Sequence, residues 1–86
     1  MRLPPGGKGM PRTEATNRID THLGRRLREM RIARDLSEAE MAKRLDIEVS
    51  QLRDHQAGTA RIDPTRLFAL AYLMDVPISA FFDGLV

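Results

Sequence analysis

Residues 37–58 read SEAEMAKRLDIEVSQLRDHQAG, and the fold is decided in this stretch. Ser37-Glu38-Ala39-Glu40 has the form of a capping box, in which the serine oxygen accepts from the backbone of residue 40 while Glu40 reaches back. A helix therefore starts here and runs to Leu45, with Met41, Ala42 and Leu45 turned inward. Asp46-Ile47-Glu48 is a short turn. A further helix follows from Val49 to about Ala57 and stops at Gly58, a residue suited to the left-handed conformation of a helix end.

The same reading extends to both sides. Upstream, Ile19, Leu23, Leu27 and Met30 form one apolar stripe of a helix that ends near Arg34. Gly24 lies inside that helix, where glycine costs about 1 kcal/mol relative to alanine, so a neighbour is expected to pack closely against it. Downstream, Asp63-Pro64 pairs a capping acceptor with a proline at the first helical position. Leu67, Leu70, Ala71 and Met74 give the next helix its inward face, and Asp75-Val76-Pro77 stops it. Ile78 to Phe82 forms a last short helix before Gly84. The spacing predicts five short helices, no strand and no internal repeat.

Composition narrows the function classes. A chain of 86 residues without cysteine is one domain at most and lacks both a disulfide framework and a Cys-based zinc site. The longest apolar run, Leu67 to Met74, is far below the ~20 residues of a membrane span, and no signal-peptide core is visible. A cytoplasmic protein is the expectation, with no cofactor and no membrane partner. Residues 1–11 hold three of the five prolines and three of the six glycines. Residues 1–16 are therefore expected to be a flexible tail and 17–86 the domain.

Charge is uneven along the chain. Residues 1–36 carry +5, residues 37–58 carry −2 and the remainder −1, for a net +2. Arg25, Arg26, Arg28, Arg31 and Arg34 cluster on the first helix, a pattern that meets phosphate or forms a solvated face. Enzyme chemistry finds no foothold. His22 and His55 lie on different helices and neither has a ligand-type residue one turn away; Gly6, Gly7 and Gly9 follow no strand. The four aromatics, Phe68, Tyr72, Phe81 and Phe82, sit apart from the basic cluster, unlike the interleaved stacking platforms of single-strand binders. Adjacent Phe81 and Phe82 cannot both face one core, which leaves one of them for a partner surface.

Two stretches, LGRRLREMRIARDLSEAEMAKRLDIEVSQLRDHQAG at 23–58 and RIDPTRLFALAYLMDVPISAFFDG at 61–84, resemble the lambda-repressor-like, or Xre/Cro-type, helix-turn-helix family. The resemblance implies an all-α, five-helix domain that binds double-stranded DNA, usually as a homodimer, and regulates transcription. The segment 49–57 is then the recognition helix entering the major groove. Leu52 and His55 point inward, which leaves Val49, Ser50, Arg53 and Asp54 on the outer face. Arg53 is suited to guanine O6 and N7, Ser50 to several bases, and Val49 to a thymine methyl. Gln51 serves backbone or base contact. Thr59 and Arg61 occupy the following loop, where the family places phosphate contacts. His55 is expected as a half-buried packing residue.

Several positions depart from the family's pattern. Glu38 stands where the second helix usually begins with a phosphate-binding glutamine, and Glu48 where the turn usually has Ser or Thr. Asp54 adds a third carboxylate to a face meant for a polyanion, which opposes the counterion release that drives DNA binding. The family's arginine–glutamate pair between helices 1 and 3 falls on Arg31 and Gln56, losing its charge-assisted part. These departures support a second reading. In it the same fold is a protein-interaction module whose acidic helix 2–3 face docks on a regulator or the transcription machinery.

Overall fold

The computed structural model describes residues 14–85, which form four α-helices and a closing 3-10 helix: α1 Glu14–Ala33, α2 Glu38–Leu45, α3 Val49–Ala57, α4 Pro64–Met74 and the 3-10 segment Ile78–Phe82. The fold is the all-helical one that the patterning predicts, with the fifth element wound as a 3-10 helix. Residues 1–13 of the expected tail lie outside the described residues. Its end does not match the expectation: α1 already begins at Glu14, ahead of the stripe that starts at Ile19.

The apolar stripes meet in one core. Leu23, Leu27 and Met30 of α1, Met41 and Ala42 of α2, Leu52 of α3, and Leu67, Leu70, Ala71 and Met74 of α4 are buried together with Ile62 and Phe81. Ile19, the first member of the α1 stripe, stays on the rim beside Phe82 in an apolar cleft. Phe81 is fully enclosed whereas Phe82 is exposed, as two adjacent ring positions on one short helix require.

Each of the four helices ends in the same way. The residue after the helix takes a left-handed conformation at Asp46, Gly58 and Asp75 (φ 58°, 79° and 56°), and Asp35 (φ 55°) does so two residues after Ala33. The following amide then donates back to a carbonyl five residues earlier, from Leu36 to Arg31, Ile47 to Ala42, Thr59 to Asp54 and Val76 to Ala71, at 3.0–3.1 Å. This is the Schellman arrangement, which satisfies carbonyls that a helix end leaves unpaired. In three of the four, the residue after the turn is Leu36, Ile47 or Val76, packed against the core, so each cap also seats an apolar anchor.

The α1 arginines explain how short helices hold together. Arg26 donates through Nε and Nη2 to the Ala80 carbonyl at 3.1 and 3.0 Å, and Arg34 donates through Nε to the Met74 carbonyl at 3.1 Å. Arg31 donates to Gln56 Oε1 at 2.8 Å and to the Leu36 carbonyl at 2.7 Å. Three residues of the basic cluster therefore tie α1 to the 3-10 helix, to the end of α4 and to α3. Arg26 and Arg34 act as staples on backbone carbonyls and Arg31 on the Gln56 side-chain amide, a role distinct from both the phosphate site and the solvated face that a charge run suggests.

Candidate nucleic-acid interface

The placement of α3 begins with its two ends. At the start, Glu48 is the N-terminal cap residue, and its amide donates to Gln51 Oε1 at 3.0 Å. At the finish, Gly58 closes the helix, and the Asp54 carbonyl accepts from the amides of Thr59 and Ala60 and from Thr59 Oγ1 at 3.0–3.2 Å. The α3–α4 loop is thereby folded back onto the helix, with Thr59 and Arg61 just beyond its end.

Close approach to α1 sets the angle at which α3 is presented. A Cβ built on Gly24 would lie 2.6 Å from the Gln56 carbonyl oxygen and closer still to that of His55. Only glycine lets the backbones of α1 and α3 meet there. Gly58 is under a second constraint of the same kind, because a Cβ on it would fall 2.8 Å from Thr21 Cα. Beneath the helix, Leu52 and His55 are buried. His55 is more than the half-buried packing residue expected. Its Nδ1 lies 3.2 Å from the Ala60 carbonyl and its Nε2 lies 3.1 Å from Arg66 Nη1. A carbonyl only accepts and a guanidinium only donates, so these contacts fit an imidazole carrying its proton on Nδ1.

The outer face holds most of the sequence-derived site. Ser50, Gln51, Arg53 and Asp54 are exposed, and so are Thr59 and Arg61 in the loop. Val49 differs: it is half-buried against the core, so it presents only part of its side chain outward. Gln51 has its carbonyl oxygen engaged at the helix start, leaving its amide nitrogen for other contacts. Arg61 Nε lies 3.8 Å from Oδ2 of Asp20, a carboxylate only 4% exposed on α1. That contact anchors the loop cation on the body of the domain. The sequence reading did not single out Asp20. Its spacing from Leu23 and Leu27 along the inward side of α1 was the available signal.

Of the three carboxylates set against DNA binding, Glu38 has intramolecular side-chain partners, while Asp54 is exposed on the outer face. Glu38 Oε1 accepts from Arg53 Nε at 3.1 Å, and Glu38 Oε2 accepts from Gln56 Nε2 at 2.7 Å. The hydrogen bond from Gln56, the one from Arg53 and the nearby positive charge hold the Glu38 carboxyl below the usual glutamate range, against a smaller opposing effect of burial. Glu40 is also lowered, by the Ser37 amide and hydroxyl in the capping box. Glu48 sits at the N-terminus of α3, where the helix dipole favours negative charge. Glu38 and Gln56, two of the positions that depart from the family's pattern, are in direct contact across α2 and α3.

Among the described residues, no group of three His, Asp or Glu side chains gathers closely enough to hold a metal ion. No helix there is long and apolar enough to cross a membrane.

The profile of the helix-turn-helix domain family matches residues 22–79, which include α2, the turn and α3. The chain belongs to the helix-turn-helix family of DNA-binding transcriptional regulators. It is 33% identical over 73 residues to an uncharacterized transcriptional regulator in the ATPase CF(0) region of Rhodospirillum rubrum, a match covering 85% of this chain and 68% of the relative. It is 33% identical over 67 residues to an uncharacterized HTH-type transcriptional regulator of Sinorhizobium medicae, covering 78% of this chain and 48% of that one. The chain thus spans roughly half to two thirds of the length of these relatives. Among solved structures, the restriction-modification controller protein C.AhdI from Aeromonas hydrophila superposes with a TM-score of 0.68 at 26% identity, covering 72% of this chain and 94% of that one.

Proposed function

We propose that this protein is a sequence-specific regulator that binds double-stranded DNA as a homodimer, with α3 in the major groove. The observation that carries the reading is the exposed row Ser50, Arg53 and Asp54, flanked by Thr59 and Arg61 in the loop. Ser50 and Arg53 supply base-edge donors at the start and middle of the helix. Asp54 is an acceptor suited to cytosine N4, and Arg61 a cation suited to phosphate. Gln51 offers its amide nitrogen to backbone or base, Thr59 supports the loop, and Val49 offers the exposed part of its side chain to a thymine methyl.

The dimer surface is assigned to α4. Phe68 and Tyr72, one turn apart, are 62% and 91% exposed and share a face. Aromatic side chains left in water at that spacing suit a second copy of the chain better than Phe82, which lines a cleft of its own domain.

Selection from a randomised duplex pool, followed by fluorescence anisotropy at two salt concentrations, tests the reading. A single enriched half-site, repeated with two-fold symmetry, is expected, with affinity falling steeply as salt rises. Arg61→Ala weakens binding to all sequences alike, whereas Arg53→Ala relaxes preference at one base pair. Equal and feeble binding to every duplex overturns it. The acidic face that favours a protein-docking module has less support, because Glu38 and Glu40 accept hydrogen bonds within the domain.

A further inference from the structure

We propose that Glu38 is a specificity-determining positioning residue that holds the Arg53 guanidinium outward, so that its two terminal nitrogens face one base pair. The inference rests on the DNA-binding reading of α3 and adds a residue of α2 to it. Its basis is a continuous relay of hydrogen bonds. Arg31 is fixed by the Leu36 carbonyl at 2.7 Å and donates to Gln56 Oε1 at 2.8 Å. Gln56 Nε2 donates to Glu38 Oε2 at 2.7 Å, and Glu38 Oε1 accepts from Arg53 Nε at 3.1 Å. Each acceptor oxygen serves one donor, so no member can rotate without breaking a bond.

The chemistry of the last link carries the argument. Arg53 uses Nε alone, and its terminal nitrogens make no other hydrogen bond among the described residues. Those are the two donors that form the fork to guanine O6 and N7. Its side chain is 67% exposed while that of Glu38 is 28% exposed. The anchoring end is therefore sheltered and the reading end is open. A free arginine would lose rotamer entropy on meeting a base, and a guanidinium already held at Nε loses less. Glu38 also faces its partner rather than the groove, with one oxygen towards α3's arginine and the other towards Gln56.

Charge alone makes a different prediction, which allows a clean test. Removing a carboxylate raises affinity for any duplex. Glu38→Asp keeps the charge but withdraws the carboxylate by one C–C bond, about 1.5 Å, breaking the contact with Arg53. The full chain, Glu38→Asp, Glu38→Gln and Arg53→Ala are compared on the selected duplex and on single-base variants of it, with circular dichroism to confirm folding. The expected result is a loss of about tenfold in discrimination at the one base pair that Arg53→Ala also relaxes. Discrimination at other positions is unchanged, and combining Glu38→Asp with Arg53→Ala adds nothing. Full discrimination in both Glu38 variants overturns the assignment and leaves the DNA-binding reading standing. Failure of the unaltered protein to select any duplex overturns the DNA-binding reading and the assignment with it. Should Glu38→Asp melt below the assay temperature, Gln56→Leu takes its place: it keeps Glu38 but removes its inner anchor, and the same base pair must relax.

Discussion

Replacing Gly24 by alanine sets two physical effects of opposite sign against each other. On helix propensity alone, alanine in the middle of α1 is favoured by about 1 kcal/mol, and the protein becomes more stable. The packing says otherwise. The new Cβ would sit 2.6 Å from the Gln56 carbonyl oxygen and inside contact with that of His55, and both neighbours are backbone. Neither can rotate away, so α1 and α3 must separate by about 1 Å to restore ordinary contact. Overpacking typically costs about 1–3 kcal/mol, and with rigid backbone on both sides the upper figure applies. The net change is a loss of about 2 kcal/mol, which lowers Tm by about 8–16 °C for a domain this small. Thermal unfolding followed by circular dichroism reads the sign directly. A Gly24→Ala protein that melts above the parent refutes the close-approach argument, and with it the explanation of how α3 is angled.

Further outcomes follow from the caps, the carboxylates and the aromatic face. Asp75→Gly relieves a non-glycine left-handed conformation (φ 56°) and removes a negative charge from a helix C-terminus. It is expected to stabilise by about 1 kcal/mol, raising Tm by about 4–8 °C; an unchanged or lower Tm counts against that account. Because Glu38 is lowered from its ordinary value of 4.5, its contribution to stability is complete above that value and disappears as pH falls through the lower, folded-state one. Glu38→Gln is therefore less stable than the parent near neutrality, and the two converge in acid. Parallel Tm–pH curves would contradict the hydrogen-bonded carboxylate. Changing Phe68 and Tyr72 together to serine is expected to leave a folded monomer in sedimentation velocity, with weaker binding to a two-fold duplex; an unaltered mass places the dimer surface elsewhere.

Much of this was legible from local chemistry. The Ser37–Glu40 capping box, the Asp63-Pro64 start and the Gly58 stop each act over three or four residues, and each is present as read. The inward face of α4 also follows directly from its spacing, all four residues being buried. The left-handed aspartates share a local signal: Asp-Leu, Asp-Ile and Asp-Val recur at 35–36, 46–47 and 75–76, each an acidic turn residue followed by an apolar anchor. The start of α1 is harder to place, since its first turn adds only the small Ala15 to the apolar stripe that marks the helix.

Neighbouring residues set where the helices begin and end after Ala33, which faces they bury, and that a short turn joins α2 to α3, because caps and periodicity act locally. What the charges do depends on how the helices pack. Arg26, Arg31 and Arg34 read as a basic patch and became staples, while Glu38 read as repulsive to DNA and became the partner of Arg53. Long charged side chains reach groups up to 54 residues away in the chain, and their partners are fixed by how helices pack, which no local pattern encodes.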